Sequence, residues 1–349
     1  MRVRKFLIIM AMLCGGIAVG QENFKVPFDK ITFKIDGRID YQGLDNEGDI
    51  SNVDSKQFIT SKVVLQTDID IYKGLHFFYR QQFRNYNAST TDGLGGQIEK
   101  LGISYENNNW KFTVGKQWFN IGSYEALYDP NDVYIYSGVN NFLSVWKTGI
   151  NAAYRFDGQE LGVQVVNGSE SMNIDGTFNQ EDFYWNVYWY GDLGEGFVMP
   201  LVNFATDMDF DNFGILSEVG ARWNFDKIKI DTDFAYVKNM KGQTLEDETF
   251  YSIPLRFYYE GKHLRPGIKY FYDNREAYDS KGMAVDGKNY TGNTIEGFIN
   301  YYPFEGKDFN LHAVAGYSQY DSTINDDEQS TFKVLVGIRF GFDVFGNKH

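Results

Sequence analysis

The chain is built from short runs in which apolar and polar residues alternate. In KITFKIDGRIDYQ, residues 30–42, the apolar side chains stand at odd positions, at Ile31, Phe33, Ile35, Ile39 and Tyr41. Charged and other polar side chains fill the even positions between them. Successive side chains of a strand point to opposite faces, so this period of two predicts a β-strand with one apolar and one polar face. The run KVLVGIRFGFDVF, residues 333–345, closes the chain with the same pattern.

Sixteen segments follow this pattern, and most have the roughly nine to eleven residues that a tilted strand needs to cross a membrane. They lie at 30–43, 57–72, 75–86, 97–106, 110–118, 145–156, 159–167, 182–191, 196–205, 212–225, 227–238, 249–260, 262–274, 289–302, 308–319 and 330–345. Short turns such as 157–158 and 225–226 follow the even segments, whereas longer polar loops such as 44–56 and 320–329 follow the odd ones. An even strand number with alternating short and long connections is typical of an outer-membrane barrel. The sequence therefore predicts an all-β fold, a sixteen-stranded antiparallel transmembrane β-barrel.

The longest connection joins the fifth and sixth segments and begins WFNIGSYEALYDPNDVYIYS, residues 118–137. Loops of this length are usually functional or disordered, and its many aromatic residues argue against disorder. A barrel of sixteen strands has a lumen wide enough for a water channel. We therefore expect this third external loop to fold inward and narrow the lumen, with Glu125, Tyr128, Asp129, Asp132 and Tyr134 at the constriction.

The N-terminus has the form of a secretory signal peptide. Arg2, Arg4 and Lys5 precede an apolar run and a small-residue stretch, which predicts a signal peptide at 1–20 and a barrel domain at 21–349. Cys14 is the only cysteine, and its lipidation is an alternative to its loss with the signal. Without it the mature chain has no disulfide and no thiolate metal site, so we expect no cofactor and no metal.

The amino-acid composition limits which classes of molecule the protein can bind. The mature chain loses three of 33 basic residues and keeps all 47 acidic ones, so its net charge falls from −14 to −17. Such a chain has no overall attraction for nucleic acid. Aromatic residues make up 17% of the sequence, and the lipid-facing outside of a barrel accommodates them. We expect the protein to lie in the outer membrane of a Gram-negative bacterium and to contact the lipid of that membrane.

The segment 114–154, which contains the long loop, resembles the phosphate-selective porin O and P family in its Bacteroidetes-type form. A Gly-Lys-Gln strand end leads into a Tyr-Glu step, an Asp-Pro turn and an Asp-Val-Tyr-x-Tyr-Ser run. The matching positions are Gly115, Lys116, Gln117, Glu125, Pro130, Asp132, Val133, Tyr134, Tyr136 and Ser137. The resemblance implies a trimeric outer-membrane porin whose third loop folds inward. It does not by itself imply phosphate selectivity.

The polar faces of the strands predict which charges line the lumen. The basic candidates are Arg38, Arg80, Arg84, Lys147, Arg222, Arg256, Lys269 and Arg339, and the acidic ones include Asp36, Asp40, Asp68, Asp70, Asp231, Asp233 and Glu296. The arginines could form a ladder that passes anions along the pore. Alternatively, these basic side chains pair with neighbouring carboxylates and only keep the lumen hydrophilic. Acids on the loop opposite Arg80 and Arg84 would instead create a transverse field that favours small polar or zwitterionic solutes.

The sequence thus favours a porin for passive diffusion of small hydrophilic solutes or ions, with anions such as phosphate among the candidates. An adhesin or binding scaffold acting through its acidic loops is the alternative class. A barrel hydrolase is a further alternative, but none of His76, His263, His312 and His349 stands in a recognisable nucleophile motif. We expect a homotrimer without enzymatic activity.

Overall fold

The protein is described by a computed structural model, which covers residues 31–47, 55–83, 98–143, 145–168, 183–207, 214–240, 247–278, 283–285, 289–305, 307–322 and 328–345. The proposed signal peptide at 1–20 and its Cys14 lie outside these residues. Sixteen strands are present: β1 Ile31–Glu47, β2 Ser55–Tyr72, β3 Leu75–Phe83, β4 Ile98–Asn107, β5 Trp110–Trp118, β6 Trp146–Phe156, β7 Gln159–Asn167, β8 Phe183–Tyr190, β9 Val198–Asp207, β10 Ile215–Phe225, β11 Ile228–Lys238, β12 Asp247–Tyr259, β13 Leu264–Tyr278, β14 Tyr290–Tyr301, β15 Phe309–Ser322 and β16 Glu328–Phe345.

The strands form one closed antiparallel barrel, as the alternation predicts. Each strand pairs with its sequence neighbours, and β1 pairs with β16 to close the ring, with Arg38 opposite Arg339. Among the described residues, closure leaves no strand of the sheet without a paired neighbour on each side. All sixteen predicted segments correspond to strands. On the long-loop side some strands extend further, because pairing continues through polar residues, as between Leu44 and Ser55.

Short turns follow the even strands and the longest connections follow odd ones, as the sequence predicts. After the even strands β4, β6 and β10, two-residue turns contain Asn108, Asp157 and Asp226 with positive φ angles of 51°, 46° and 55°. Residues with positive φ match the twist of tight hairpins. Gly74 closes another such turn, where an added Cβ would lie 1.9 Å from the Glu106 carbonyl oxygen. Short turns mark the periplasmic end of such barrels, so the loop between β5 and β6 begins at the external end.

The outer surface of the barrel is apolar. Outward side chains such as Phe112, Val114 and Ile150 are 45%, 60% and 55% exposed, respectively. Rings pair along this surface, for example Trp110 with Tyr154 at a centroid distance of 4.9 Å. An exposed apolar band of this kind faces lipid.

The interior is less uniformly polar than the alternation predicts. The interior-facing residues of β7 and β9–β12 near the external end include Val166, Ala205, Leu216, Val237 and Phe250, all buried in an apolar cluster. The physical reason is that these positions pack against the loop between β5 and β6 and not against water. Elsewhere the inward positions carry buried polar side chains such as Asp40, Glu296 and Asn310.

Candidate functional site: the loop that crosses the barrel

The connection between β5 and β6, described at residues 119–143 and 145, folds into the barrel, as the sequence predicts. We call it loop 3. It contains two short helices, α1 Tyr124–Leu127 and α2 Gly138–Phe142. Phe119, Ile121 and Val139 of loop 3 are at most 2% exposed, and they belong to the apolar cluster that covers the β7–β12 wall. Burial of such side chains contributes about 1.5–3 kcal/mol each. Loop 3 is therefore a packed structure inside the barrel.

A row of amide side chains on the wall binds the first part of loop 3. On β7, the Gln164 side chain accepts a hydrogen bond from the Asn120 backbone N–H and donates one to the Trp118 carbonyl. Asn186 on β8 donates to the Asn120 carbonyl, and Asn203 on β9 accepts from the Gly122 N–H. These side chains satisfy backbone groups that would otherwise be buried without partners.

A wall carboxylate caps the N-terminus of α1. The four N–H groups in the first turn of a helix have no partner within the helix. Here Asp233 on β11 accepts from the backbone N–H groups of Tyr124 and Glu125 at 2.9 and 3.2 Å, and from the Ser123 hydroxyl at 3.2 Å. The start of α1 is thus fixed by a residue 109 positions away in sequence.

The second helix is held in the same way. Asp273 on β13 accepts from the Gly138 N–H at 3.0 and 3.1 Å and from the Ser252 hydroxyl at 2.5 Å. That hydroxyl in turn accepts from the Val139 N–H at 2.9 Å. Two strands, β12 and β13, therefore supply the cap of α2.

Glu125 lies at the centre of loop 3 and is buried. Its carboxylate forms a salt bridge with Lys269 of β13 and accepts hydrogen bonds from the Ser137 N–H and hydroxyl and from Asn140. Burial alone would raise the pKa of the Glu125 carboxyl, but Lys269 and Ser137 outweigh it and hold that pKa below its usual range. Glu125 thus joins both halves of loop 3 to the wall, and its carboxylate is occupied by these partners.

The tip of loop 3 is bound at the junction of β1 and β16. Arg339 on β16 contacts Asp132 at 2.6 Å and both Asp129 and Asp36 at 3.2 Å. Asn131 donates to Asp36 at 2.5 Å. A single guanidinium thus bridges two loop carboxylates and one wall carboxylate, an arrangement suited to its fork of donors.

Tyr128, just before the tip, lies between two arginines. The Arg256 guanidinium is 3.9 Å from the centre of its ring and that of Arg222 is 5.3 Å away. The Tyr128 hydroxyl donates to Asp231 and accepts from Arg222. Cation–π contacts of this kind contribute about 0.5–2 kcal/mol. Tyr128 is consequently fixed on the wall formed by β10–β12.

Tyr134 covers a second group of wall residues. Its hydroxyl donates to Asn300 at 2.6 Å, and its ring packs against that of His312 at a centroid distance of 5.1 Å and an interplanar angle of 37°. Behind it, the His312 Nε2 lies 2.6 Å from Asp40, and both side chains are fully buried. Arg38 on β1 completes the group through a 2.9 Å contact with Asp40. Arg38 also donates to the carbonyls of residues 131 and 133 in loop 3.

Seven of the eight predicted lumen bases lie within the described residues, and all point inward; Arg84 lies outside them. Arg38, Arg222, Lys269 and Arg339 form salt bridges near loop 3. Arg80 pairs with Glu99 at 2.7 Å on the opposite wall. Lys147 is buried and donates to the Gly168 carbonyl, and Arg256 stacks on rings. The structure brings Glu125, Tyr128, Asp129, Asp132 and Tyr134 to the wall of β1 and β10–β16, whereas Arg80 lies on β3.

The sequence reasoning missed the residues that position loop 3: Gln164, Asn186, Asn203, Ser252, Asp273 and Asn300. All occupy inward positions in the period-two pattern, and this pattern was the only sequence feature that could have placed them inside the barrel. Their partners could not be inferred, because their contacts with loop 3 join residues 44 to 166 positions apart.

Among the described residues, two of the larger water-accessible spaces lie beside loop 3. One, of about 400 Å³, lies along β2–β6, where Asp68, His76, Lys100 and Lys111 contribute charged or titratable side chains. The other, of about 520 Å³, lies on the periplasmic side of α1, next to the turns at Gly158 and Gly191. Loop 3 therefore packs against the β7–β16 side of the lumen, and the two spaces lie along β2–β6 and at the periplasmic end of β6–β10.

The sequence matches no protein-family model and no curated protein. Solved structures nevertheless share the fold. The anion-selective porin from Comamonas acidovorans aligns with a TM-score of 0.63 at 14% identity, over 89% of this chain and 99% of that one. The channel DcaP of Acinetobacter baumannii gives 0.62 at 13% identity, over 89% and 96%. Salmonella typhi OmpF, in complex with daunomycin, gives 0.56 at 14% identity, over 91% and 99%.

Likeness at such low identity concerns the fold alone, and it shows a porin-like barrel. The narrower resemblance to phosphate-selective porins stays a prediction. A closed sixteen-stranded barrel with an apolar exterior spans a membrane through its strands. The chain is therefore an outer-membrane β-barrel of the kind found in Gram-negative bacteria, with a porin-like fold.

Proposed function

We propose that this protein is a passive, non-enzymatic channel for small hydrophilic solutes. The observation that carries the proposal is the asymmetric filling of the barrel. Loop 3 packs against one wall through helix caps, ion pairs and an apolar cluster, while a space of about 400 Å³ stays open along β2–β6. A loop fastened in this way sets the bore of the channel without closing it.

The charges of the lumen favour weak ion selectivity. Arg38, Arg80, Arg222, Lys269 and Arg339 each lie within 4 Å of a carboxylate. Such pairs leave little net field for one sign of ion, so we do not propose a preference for phosphate. In this proposal Tyr128, Asp129 and Asp132 contribute the partly exposed surface of the constriction, and Glu125 and Tyr134 hold it in place.

The fold also bears on the alternative of a hydrolase. His312 and Asp40 form a pair that resembles part of a catalytic triad, but both are fully buried under Tyr134. A solute in the lumen does not reach them. Half of the residues in the acidic external segments 45–49 and 325–329, the basis of the binding-scaffold alternative, lie outside the described residues. In the proposal the protein acts as a homotrimer, as the sequence resemblance implies.

Planar-bilayer recording tests the proposed function. Folded protein should give stepwise conductance increases in KCl, and a salt gradient should give a reversal potential close to zero. Absence of channels from protein shown to be folded would refute the proposal. A strong anion preference would leave the channel in place but refute its weak selectivity.

A further inference from the structure

The space on the periplasmic side of α1, about 520 Å³ in volume, has an unusual lining for a polar lumen. We call it the vestibule. Its apolar surface comes from Leu127 of α1 and from Met199 and Leu201 of β9, and its charged side chains are Arg155, Glu160 and Arg222. The turns at Gly158 and Gly191 place it at the periplasmic mouth.

Leu127 is the most anomalous of these residues. It is 44% exposed, although apolar residues of the same loop such as Ile121 and Val139 are fully buried. Loop 3 is held rigidly enough that this leucine stays directed at the vestibule, since α1 is capped by Asp233. Apolar surface kept in contact with water is stabilised when an apolar group of a solute covers it.

The vestibule also offers hydrogen-bonding groups of both charge signs. Arg222 uses Nε and Nη2 to bind Asp231 and Tyr128. Among the described residues its Nη1 has no hydrogen-bond partner, and it remains available as a donor. Glu160 pairs with Arg155 at 2.7 Å, and its side chain is 21% exposed. Carboxylate oxygens accept several hydrogen bonds, so Glu160 can accept another.

We infer that the vestibule is a binding subsite for small zwitterions with an apolar side chain, such as leucine and phenylalanine. The inference rests on the proposed channel function and specifies a substrate class for it. The solute carboxylate binds the free edge of the Arg222 guanidinium, its ammonium group lies towards Glu160, and its side chain covers Leu127.

Paired charges explain why a zwitterion fits better than a simple ion. Each guanidinium of the vestibule is 2.7 Å from a carboxylate, Arg222 from Asp231 and Arg155 from Glu160. An anion attracted by one partner is repelled by the other, whereas a zwitterion presents both signs. The apolar side chain adds a contact that a polar amino acid lacks.

Current block in planar bilayers tests this inference. Phenylalanine, added on the periplasmic side, should reduce the KCl current with an apparent affinity about fivefold above that of glutamine, because burial of part of Leu127 favours the ring. The singly charged analogues 3-phenylpropionate and phenethylamine should block more weakly than phenylalanine. Leu127→Ser should remove the difference in block between phenylalanine and glutamine.

Leu193→Ser is the matched control, because Leu193 is 47% exposed at the same end of the barrel but does not line the vestibule; it should leave the block unchanged. Equal block by phenylalanine and glutamine, or an unchanged block in Leu127→Ser, would overturn the subsite. Equal block by 3-phenylpropionate would overturn the zwitterion preference. In each case, wild-type protein that still conducts KCl would show that the subsite has failed while the proposed channel function stands.

Discussion

Replacement of Glu125 by glutamine gives the sharpest test of how loop 3 is held. Glu125 and Lys269 are each 4% exposed and form a salt bridge between loop 3 and β13. The substitution keeps the size of the side chain but removes its charge. Lys269 then retains the Ile135 carbonyl as its acceptor, and its charge has lost the carboxylate that balanced it.

The expected cost follows from this burial. Removal of one partner from a buried ion pair destabilises the bound state by about 3–5 kcal/mol. Since each 1.4 kcal/mol changes an equilibrium constant about tenfold, the docked state of loop 3 loses roughly two to three and a half orders of magnitude in its equilibrium constant. The barrel itself is held by strand pairing around the whole ring, so it should stay folded.

Single-channel recording measures the consequence. Glu125→Gln should give larger and noisier open-channel currents than the wild type, because loop 3 leaves the lumen intermittently. The double variant Glu125→Gln, Lys269→Met is the control, since it removes both charges and should restore much of the quiet, smaller conductance. Heat-modified migration on gels verifies that each barrel is folded. Glu125→Gln channels with the conductance and noise of the wild type would refute the reasoning.

Three further predictions concern the same loop. Because the pKa of Glu125 is held low, its contribution to docking should be complete above its usual value of about 4.3 and be lost as the pH falls below it; channel noise should rise at acid pH, and Glu125→Gln should lack this component. Arg339→Met removes the cation that lies between three carboxylates, so reversal potentials should shift towards cation selectivity. Asn203→Leu leaves the Gly122 N–H buried without its acceptor, at a cost of about 1–3 kcal/mol, and hydrogen exchange of residues 119–122 should accelerate.

Much of the fold could be predicted from the sequence because barrel strands have a local signature. Alternation of side chains, strand length and turn parity are all properties of neighbouring residues. The same reasoning located loop 3, since its length and aromatic content differ from every other connection. It also placed bases such as Arg38 and Arg256 on the inward face.

The partners inside the barrel could not be predicted for a physical reason. Closing a ring brings together residues that are far apart in sequence, as with Asp36 and Arg339, which are separated by 303 positions. Periodicity assigns a residue to a face but not to a neighbour across the lumen. It also fails where both faces of a strand are apolar, as at Val237 and Leu216 under loop 3. The apolar wall under loop 3 was therefore the main structural feature that the alternation did not predict.

The site where loop 3 ends its crossing has a consequence for how the protein is assembled. The tip is held by Asp36 and Arg38 of the first strand together with Arg339 of the last. These strands meet only when the sheet becomes a cylinder, so the cradle for the tip does not exist in an unfinished barrel. We therefore expect the tip to dock only after β1 and β16 have paired. Loop 3 then reaches its final position, and the lumen its final width, no earlier than closure of the barrel.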